Sequence, residues 1–164
     1  MIDTAQLCPG YLIYRSAGLD RALLVKFMQR TYCELFPGAG FEHLATTVEQ
    51  YFSADTPLWW VRSRADTGLR IPDPIACLWM GSAVDQVRGD RHAHIFLLYV
   101  APEHRRRGIG TALMRQAEDW ARERGDRQIG LHVFCQNQPA RRLYESLGFA
   151  PQSIWMVKPL DREG

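Results

Sequence analysis

The sequence predicts one α/β domain in which an antiparallel hairpin region feeds a strand–turn–helix unit. Three observations predict it. Apolar runs of strand length recur along the chain, the stretches between several of them carry apolar residues at helical spacing, and glycine or proline stands at most joints. The 164 residues, 46% hydrophobic and 23% charged, have ordinary globular composition and enough length to bury a core unaided. No repeat, low-complexity tract or linker divides them, so we expect residues 1–164 to form a single domain.

Tyr11–Arg15 (YLIYR) is a short apolar, aromatic run that reads as a strand. From Leu19 to Phe36 the apolar positions 19, 23, 24, 27, 28, 32 and 35 make one face of a helix, which Pro37-Gly38 ends. Phe41–Phe52 reads as a second helix, with Phe41, Leu44, Val48 and Phe52 on one side. Leu58–Arg62 and Ile75–Gly81 read as strands joined by a hairpin loop, Arg64–Pro74, that contains Gly68, Pro72 and Pro74. Asp85–Arg91 is a second loop and leads into His94–Val100 (HIFLLYV), a continuous apolar run suited to a central strand. Ile109, Ala112, Leu113, Ala117, Trp120 and Ala121 recur at helical spacing, and Gly125 stands where a glycine closes a helix. Ile129–Phe134 reads as a strand. Pro139 suits the first turn of a helix over Ala140–Leu147, closed by Gly148, and Ile154–Val157 reads as a last strand.

Composition also excludes some functions. A net charge of +2 is too small to argue for nucleic acid. Cys8, Cys33, Cys77 and Cys135 are widely spaced and form no C-x-x-C pair, against both a zinc site and a small disulfide scaffold. No apolar run approaches the roughly 18 residues that a membrane helix needs. The opening residues lack the basic and apolar regions of a signal peptide, so the reducing cytoplasm is the expected compartment.

The segment Val100–Thr111 (VAPEHRRRGIGT) places three consecutive arginines and two glycines between the central strand and the first turn of a helix. The first N–H groups of a helix lack internal partners, and that end carries partial positive charge. Gly108 and Gly110 remove side chains that would hold a ligand away from those amides, and arginines can clamp phosphate oxygens. Such a turn suits a pyrophosphate. It is neither a nucleotide P-loop nor a dinucleotide fingerprint, because both glycine patterns are absent. The residues alone are equally those of a solvated basic turn.

Arg105-x-x-Gly108-x-Gly110, following Tyr99-Val100-Ala101-Pro102, resembles the acetyl-coenzyme A motif of the GNAT superfamily of N-acetyltransferases. Asn137-Gln-Pro-Ala140-Arg-Arg-Leu143-Tyr144-Glu-Ser-Leu-Gly148-Phe149 resembles the family's next segment. The strong resemblance spans Ile95–Phe149. It implies a central mixed, mostly antiparallel sheet, splayed at Leu98–Val100, with helices on both faces. It implies acetyl-CoA as donor, no metal, and direct attack by a primary amine of a small molecule, an amino acid or a peptide N-terminus. The main chain of Leu98, Tyr99 and Val100 would pair with the pantetheine arm, with the Val100 amide aimed at the thioester oxygen. Arg106, Arg107, Gly108, Ile109, Gly110 and Thr111 would meet the pyrophosphate, and Arg105 would add charge at the entrance. Asn137 would bond the cofactor arm, Ala140 would make room for it, and Tyr144 would protonate the departing thiolate.

For the base, the family position four residues before Leu98 holds His94, with His92 on the same strand face; this strand has no Glu, and water is the other option. Cys135 has no neighbour in sequence to activate it as a nucleophile. The acceptor walls are expected from the first two helices, the Phe36–Phe41 connection and the loop near Gln152–Trp155, with Trp59, Trp60 and Trp79 in the core. The expected partners are a small amine or peptide, with neither nucleic acid nor membrane, and a monomer or homodimer. A non-catalytic acyl-CoA-binding or regulatory module on the same fold is the rival reading.

Overall fold

The computed structural model describes residues 8–18, 20–65 and 72–160. The first seven residues, on which the leader expectation rests, Leu19 of the first helical face, and part of the Arg64–Pro74 loop lie outside the described residues. Five strands form one sheet in sequence order: β1 (Tyr11–Arg15), β2 (Leu58–Ser63), β3 (Ala76–Val84), β4 (Arg91–Val100) and β5 (Ile129–Leu131). β1 to β4 pair antiparallel, and β4 pairs parallel with β5. The sheet is therefore mixed and mostly antiparallel, as expected.

Alternation along β3 sorts the core into two layers. Ala76, Leu78 and Met80 face a cluster that holds Leu113, Met114 and Ala117 of α3 (Ile109–Glu123). Leu143, Tyr144 and Leu147 of α4 (Gln138–Ser146) and its C-terminal end pack on the same layer. Cys77 and Trp79 face the other way, onto Leu24, Phe27 and Met28 of α1 (Arg21–Leu35) and Leu44 and Val48 of α2 (Leu44–Tyr51). Helices thus cover both faces. Trp59, Trp60 and Trp79 are buried in these layers, as their expected core role requires. Each fully buried large apolar side chain contributes roughly 1.5–3 kcal/mol.

Three boundaries depart from expectation. β4 begins at Arg91 because Arg91, His92 and Ala93 extend the ladder with Val84, Ala83 and Ser82, which the polar loop composition hid. β5 stops at Leu131 rather than Phe134, where its pairing with β4 ends. Ile154–Val157 forms no strand: it has no ladder partner among the described residues, and Ile154 is 86% and Trp155 83% exposed. Apolar composition supplies strand propensity, but a strand exists only where a ladder partner lies alongside. Among the described residues no helix is long and apolar enough to cross a membrane.

Candidate functional site

β4 is ten residues long but pairs with β5 only at Ala93, His94 and Ile95. From Phe96 to Val100 its β5-side edge has no strand neighbour among the described residues, so the sheet opens there. The opening coincides with a bulge. Leu97 pairs with Trp79 and Ile95 with Met80, which leaves Phe96 as an extra residue on β4. The bulge reverses the alternation. His94 pairs with Gly81, and Leu97 and Tyr99 pair with Trp79 and Cys77, so all three share the face of α1 and α2. Leu98 and Val100 instead pack toward α3. The Ala101 amide donates to the Ile75 carbonyl at 2.8 Å, so by antiparallel alternation the main-chain groups of Leu98 and Val100 point to the open edge.

β4 runs through the short turn Pro102–His104 into the arginine–glycine segment. Arg106 has φ 61° and Gly108 φ 82°, both left-handed, which a glycine tolerates and an arginine adopts under strain. Successive turns of this kind point backbone N–H groups into one concavity. Gly108 is the N-cap of α3, and no side chain caps that helix end. The turn is fixed from behind: the Cys8 thiol donates to the Arg107 carbonyl at 3.6 Å, and Arg107 Nη1 donates to Tyr11 Oη at 3.1 Å. Tyr11 Oη in turn lies 3.0 Å from His104 Nδ1. An ideal Cβ at Gly110 would sit 3.0 Å from Leu143 Cδ2, so this glycine also lets α4 approach α3.

The Arg105 side chain is committed elsewhere. Its Nη2 donates to Glu34 Oε2 of α1 at 2.7 Å and its Nε to the Val100 carbonyl at 2.8 Å. Tyr99 Oη donates to the other Glu34 oxygen at 3.2 Å. The open end of β4 is thereby tied to α1, and the N–H of Val100 remains for a ligand on that edge. Glu34 carries no local motif, and its role was not visible in the sequence.

Asn137 caps α4, its Oδ1 accepting from the Ala140 amide at 3.4 Å, which leaves its amide nitrogen for another partner. Gly148 (φ 89°) closes the helix, and the Phe149 amide reaches back to the Tyr144 carbonyl at 3.0 Å. Tyr144 packs on the α3 layer beside Phe149, and burial pushes its phenol up to about 12. The hydroxyl therefore stays protonated, and able to donate, throughout the neutral range.

His94 lies on the other face. Burial first, then the nearby imidazoles of His132 and His92, lower its pKa to about 4, so it is a neutral acceptor at pH 7. The structure puts His94 and Tyr144 on opposite faces of the opened sheet, a consequence of the bulge. An aromatic group closes the α1 side: Tyr32 lies 5.5 Å from Phe41 and 6.0 Å from Phe134, and Phe36 4.9 Å from Phe134, between ring centroids. Phe134, which the sequence places at the end of a strand, meets the Phe36–Phe41 connection, whereas the Gln152–Trp155 segment is exposed. Among the described residues no group of three His, Cys, Asp or Glu side chains is placed to hold a metal.

Comparison with known proteins agrees with the fold and gives the family. The sequence pattern of the acetyltransferase (GNAT) family matches residues 25–149. A streptothricin acetyltransferase of Streptomyces lavendulae is 53% identical over 51 residues, 31% of this chain and 27% of that protein. The chain spans 27%, 33% and 55% of the length of three curated relatives that it matches. A GCN5-related N-acetyltransferase from Ralstonia eutropha JMP134 superposes with a TM-score of 0.71 at 24% identity, over 92% of this chain and 99% of that one. A predicted acetyltransferase from Clostridium acetobutylicum, solved with acetyl-CoA, superposes with a TM-score of 0.71 at 17% identity, over 91% and 96% of the two chains.

Proposed function

Since the chain belongs to the acetyltransferase (GNAT) family and is an acyltransferase of that kind, we propose that it moves an acetyl group from acetyl-CoA to a primary amine by direct attack, within one domain spanning residues 1–164. The observation that carries this reading is the unpaired β4 edge from Phe96 to Val100, which runs directly into the left-handed turn at the N-terminus of α3. A thioester with an amide-bearing arm and a diphosphate fits these two parts in that order. The main chain of Leu98 and Val100 offers strand-like hydrogen bonds to the arm. The amides of the turn and first helical residues, Arg106–Thr111, together with the Arg106 guanidinium, suit the diphosphate. Ala140 leaves space at the start of α4, and the free amide nitrogen of Asn137 is a donor beside it.

Bound acetyl-CoA supplies an activated acetyl group; the residues supply placement and protons. The Val100 N–H is a fixed donor for the negative charge that acyl transfer builds on the carbonyl oxygen. His94, neutral at pH 7, takes a proton from the incoming ammonium, and Tyr144 gives one to the departing sulfur. The N–C bond forms as the C–S bond breaks. Of the two protons that the ammonium loses overall, one ends on the thiol and one leaves for solvent. The aromatic wall of Tyr32, Phe36, Phe41 and Phe134 favours an acceptor with an apolar or ring-bearing body. Four unpaired cysteines, two of them exposed, fit a reducing, cytoplasmic setting.

The test is thiol release from acetyl-CoA across a panel of antibiotic, amino-acid, polyamine and peptide amines. Release that depends on one class of amine, with initial-rate lines that intersect rather than run parallel, is the expected result. Coenzyme A binding without release for any amine would favour the non-catalytic module.

A further inference from the structure

The reaction proposed above must export a proton, and His94 is only partly exposed. Three imidazoles meet at this point. His132, just beyond the end of β5 and exposed, has its ring 5.2 Å from that of His94, and His92 has its ring 6.4 Å away on the other side. Gly130, the β5 partner of His94, makes the meeting possible: a Cβ there would stand 3.0 Å from His92 Cε1 and 3.5 Å from His94 Nδ1. Phe96 lies against His94 with its ring 5.6 Å away and is itself packed on Trp79, which closes that approach to water. His92 is the poorer exit, because its Nδ1 is held 2.9 Å from the Ala93 carbonyl. The groups facing His94 across the sheet, Gly81 on β3 and Gly130 on β5, carry no charge. Among the described residues, the titratable groups that act on His94 are His132 and His92.

We infer that His132 is the relay partner of His94, receiving its proton directly or through one water and releasing it to solvent. The assignment rests on the reading of His94 as base in an amine acetyltransferase. His132 acts through His94 and so is a positioning residue that restores the base between turnovers. The repulsion between the rings supports it: charge on His132 disfavours a proton on His94.

The test compares wild type with His132→Asn and His132→Phe, by NMR titration of the His94 ring in the free protein and by steady-state rates with a reactive amine. If the rings communicate, both variants raise the His94 pKa, because a like charge has been removed. Their kcat falls at low buffer concentration by less than the roughly hundredfold expected for loss of a base. KM for acetyl-CoA stays unchanged, and added imidazole restores rate to the variants but not to wild type. An unmoved His94 titration together with wild-type kcat overturns the relay and leaves the acetyltransferase reading standing. A wild-type protein that binds coenzyme A yet turns over no amine overturns both.

Discussion

His94 and Tyr144, the proposed base and acid, have their pKa values moved in opposite directions by the same cause. Burial keeps the imidazole neutral and the phenol protonated. A rate that requires neutral His94 should therefore hold as pH falls through 6.5 and drop only near pH 4, and the pH profile of kcat/KM checks this. His94→Gln should remove that limb; an acid limb at pH 6 to 7 that survives the substitution would assign the base elsewhere. Stability carries the same sign. An unfolded imidazole titrates near 6.5 whereas the folded one titrates near 4, so in that window the unfolded chain binds the extra proton. Stability should decline as pH falls from about 6.5 to about 4, and His94→Gln should flatten the decline in urea melts. Tyr144→Phe keeps the ring and its packing, so coenzyme A affinity should persist while kcat falls by about a hundredfold or more. Wild-type turnover in that variant would end the acid assignment. His94 and Tyr144 were visible as candidates in the sequence only through the family resemblance, the first four residues before Leu98 and the second four before Gly148. Glu34 and His132 were not: their partners lie far away in sequence, and only the folded sheet brings them together.

The bulge on β4 is the element on which the site's geometry turns. It coincides with the opening of the edge, sends His94 to the α1 side and leaves Phe96 over Gly81. A Cβ at Gly81 would lie 2.3 Å from Phe96 Cε2, so Gly81→Ala should force that ring aside and cost about 1–3 kcal/mol. Chemical denaturation measures it, and a loss below a few tenths would mean that Phe96 moves freely. The clasp between α1 and β4 is weaker energetically. Arg105 and Glu34 are 44% and 39% exposed, so Glu34→Gln should lower stability by no more than about 1 kcal/mol. The same melts check it, and a larger loss would mean that the clasp holds the fold and not only the strand end. The strand–turn–helix unit was readable because Gly108, Gly125 and the apolar face of α3 agree with one another. The bulge was not readable, since HIFLLYV is apolar at every position after His94 and shows no alternation to break. Ile154–Val157 misled for the complementary reason: its composition suits a strand, yet the described chain lays no partner beside it.

At the scale of the whole molecule, one sheet separates two apolar layers, and the proposed site lies where β4 parts from β5 between them. The order of the elements could be read from runs, spacing and turns, because hydrophobic burial acts on pattern; the mixed sheet with helices on both faces rested on the resemblance of the two motifs to the GNAT family. The closing of the α1 side by Phe134 could not be read, because it depends on where β5 stops. The central claim is that the open β4 edge and the left-handed turn together hold acetyl-CoA. It is tested most directly by thermal melts with coenzyme A and with pantetheine, which lacks the diphosphate, on wild type and Gly108→Val. Valine cannot comfortably adopt the φ of 82° found at Gly108. At a hundredfold excess over Kd, coenzyme A should stabilise wild type by about 2.7 kcal/mol and raise Tm by several degrees. Pantetheine should raise it far less, and Gly108→Val should lose the coenzyme A increment measured from its own baseline. A wild-type Tm indifferent to coenzyme A, or an increment equally large in Gly108→Val, would contradict the account.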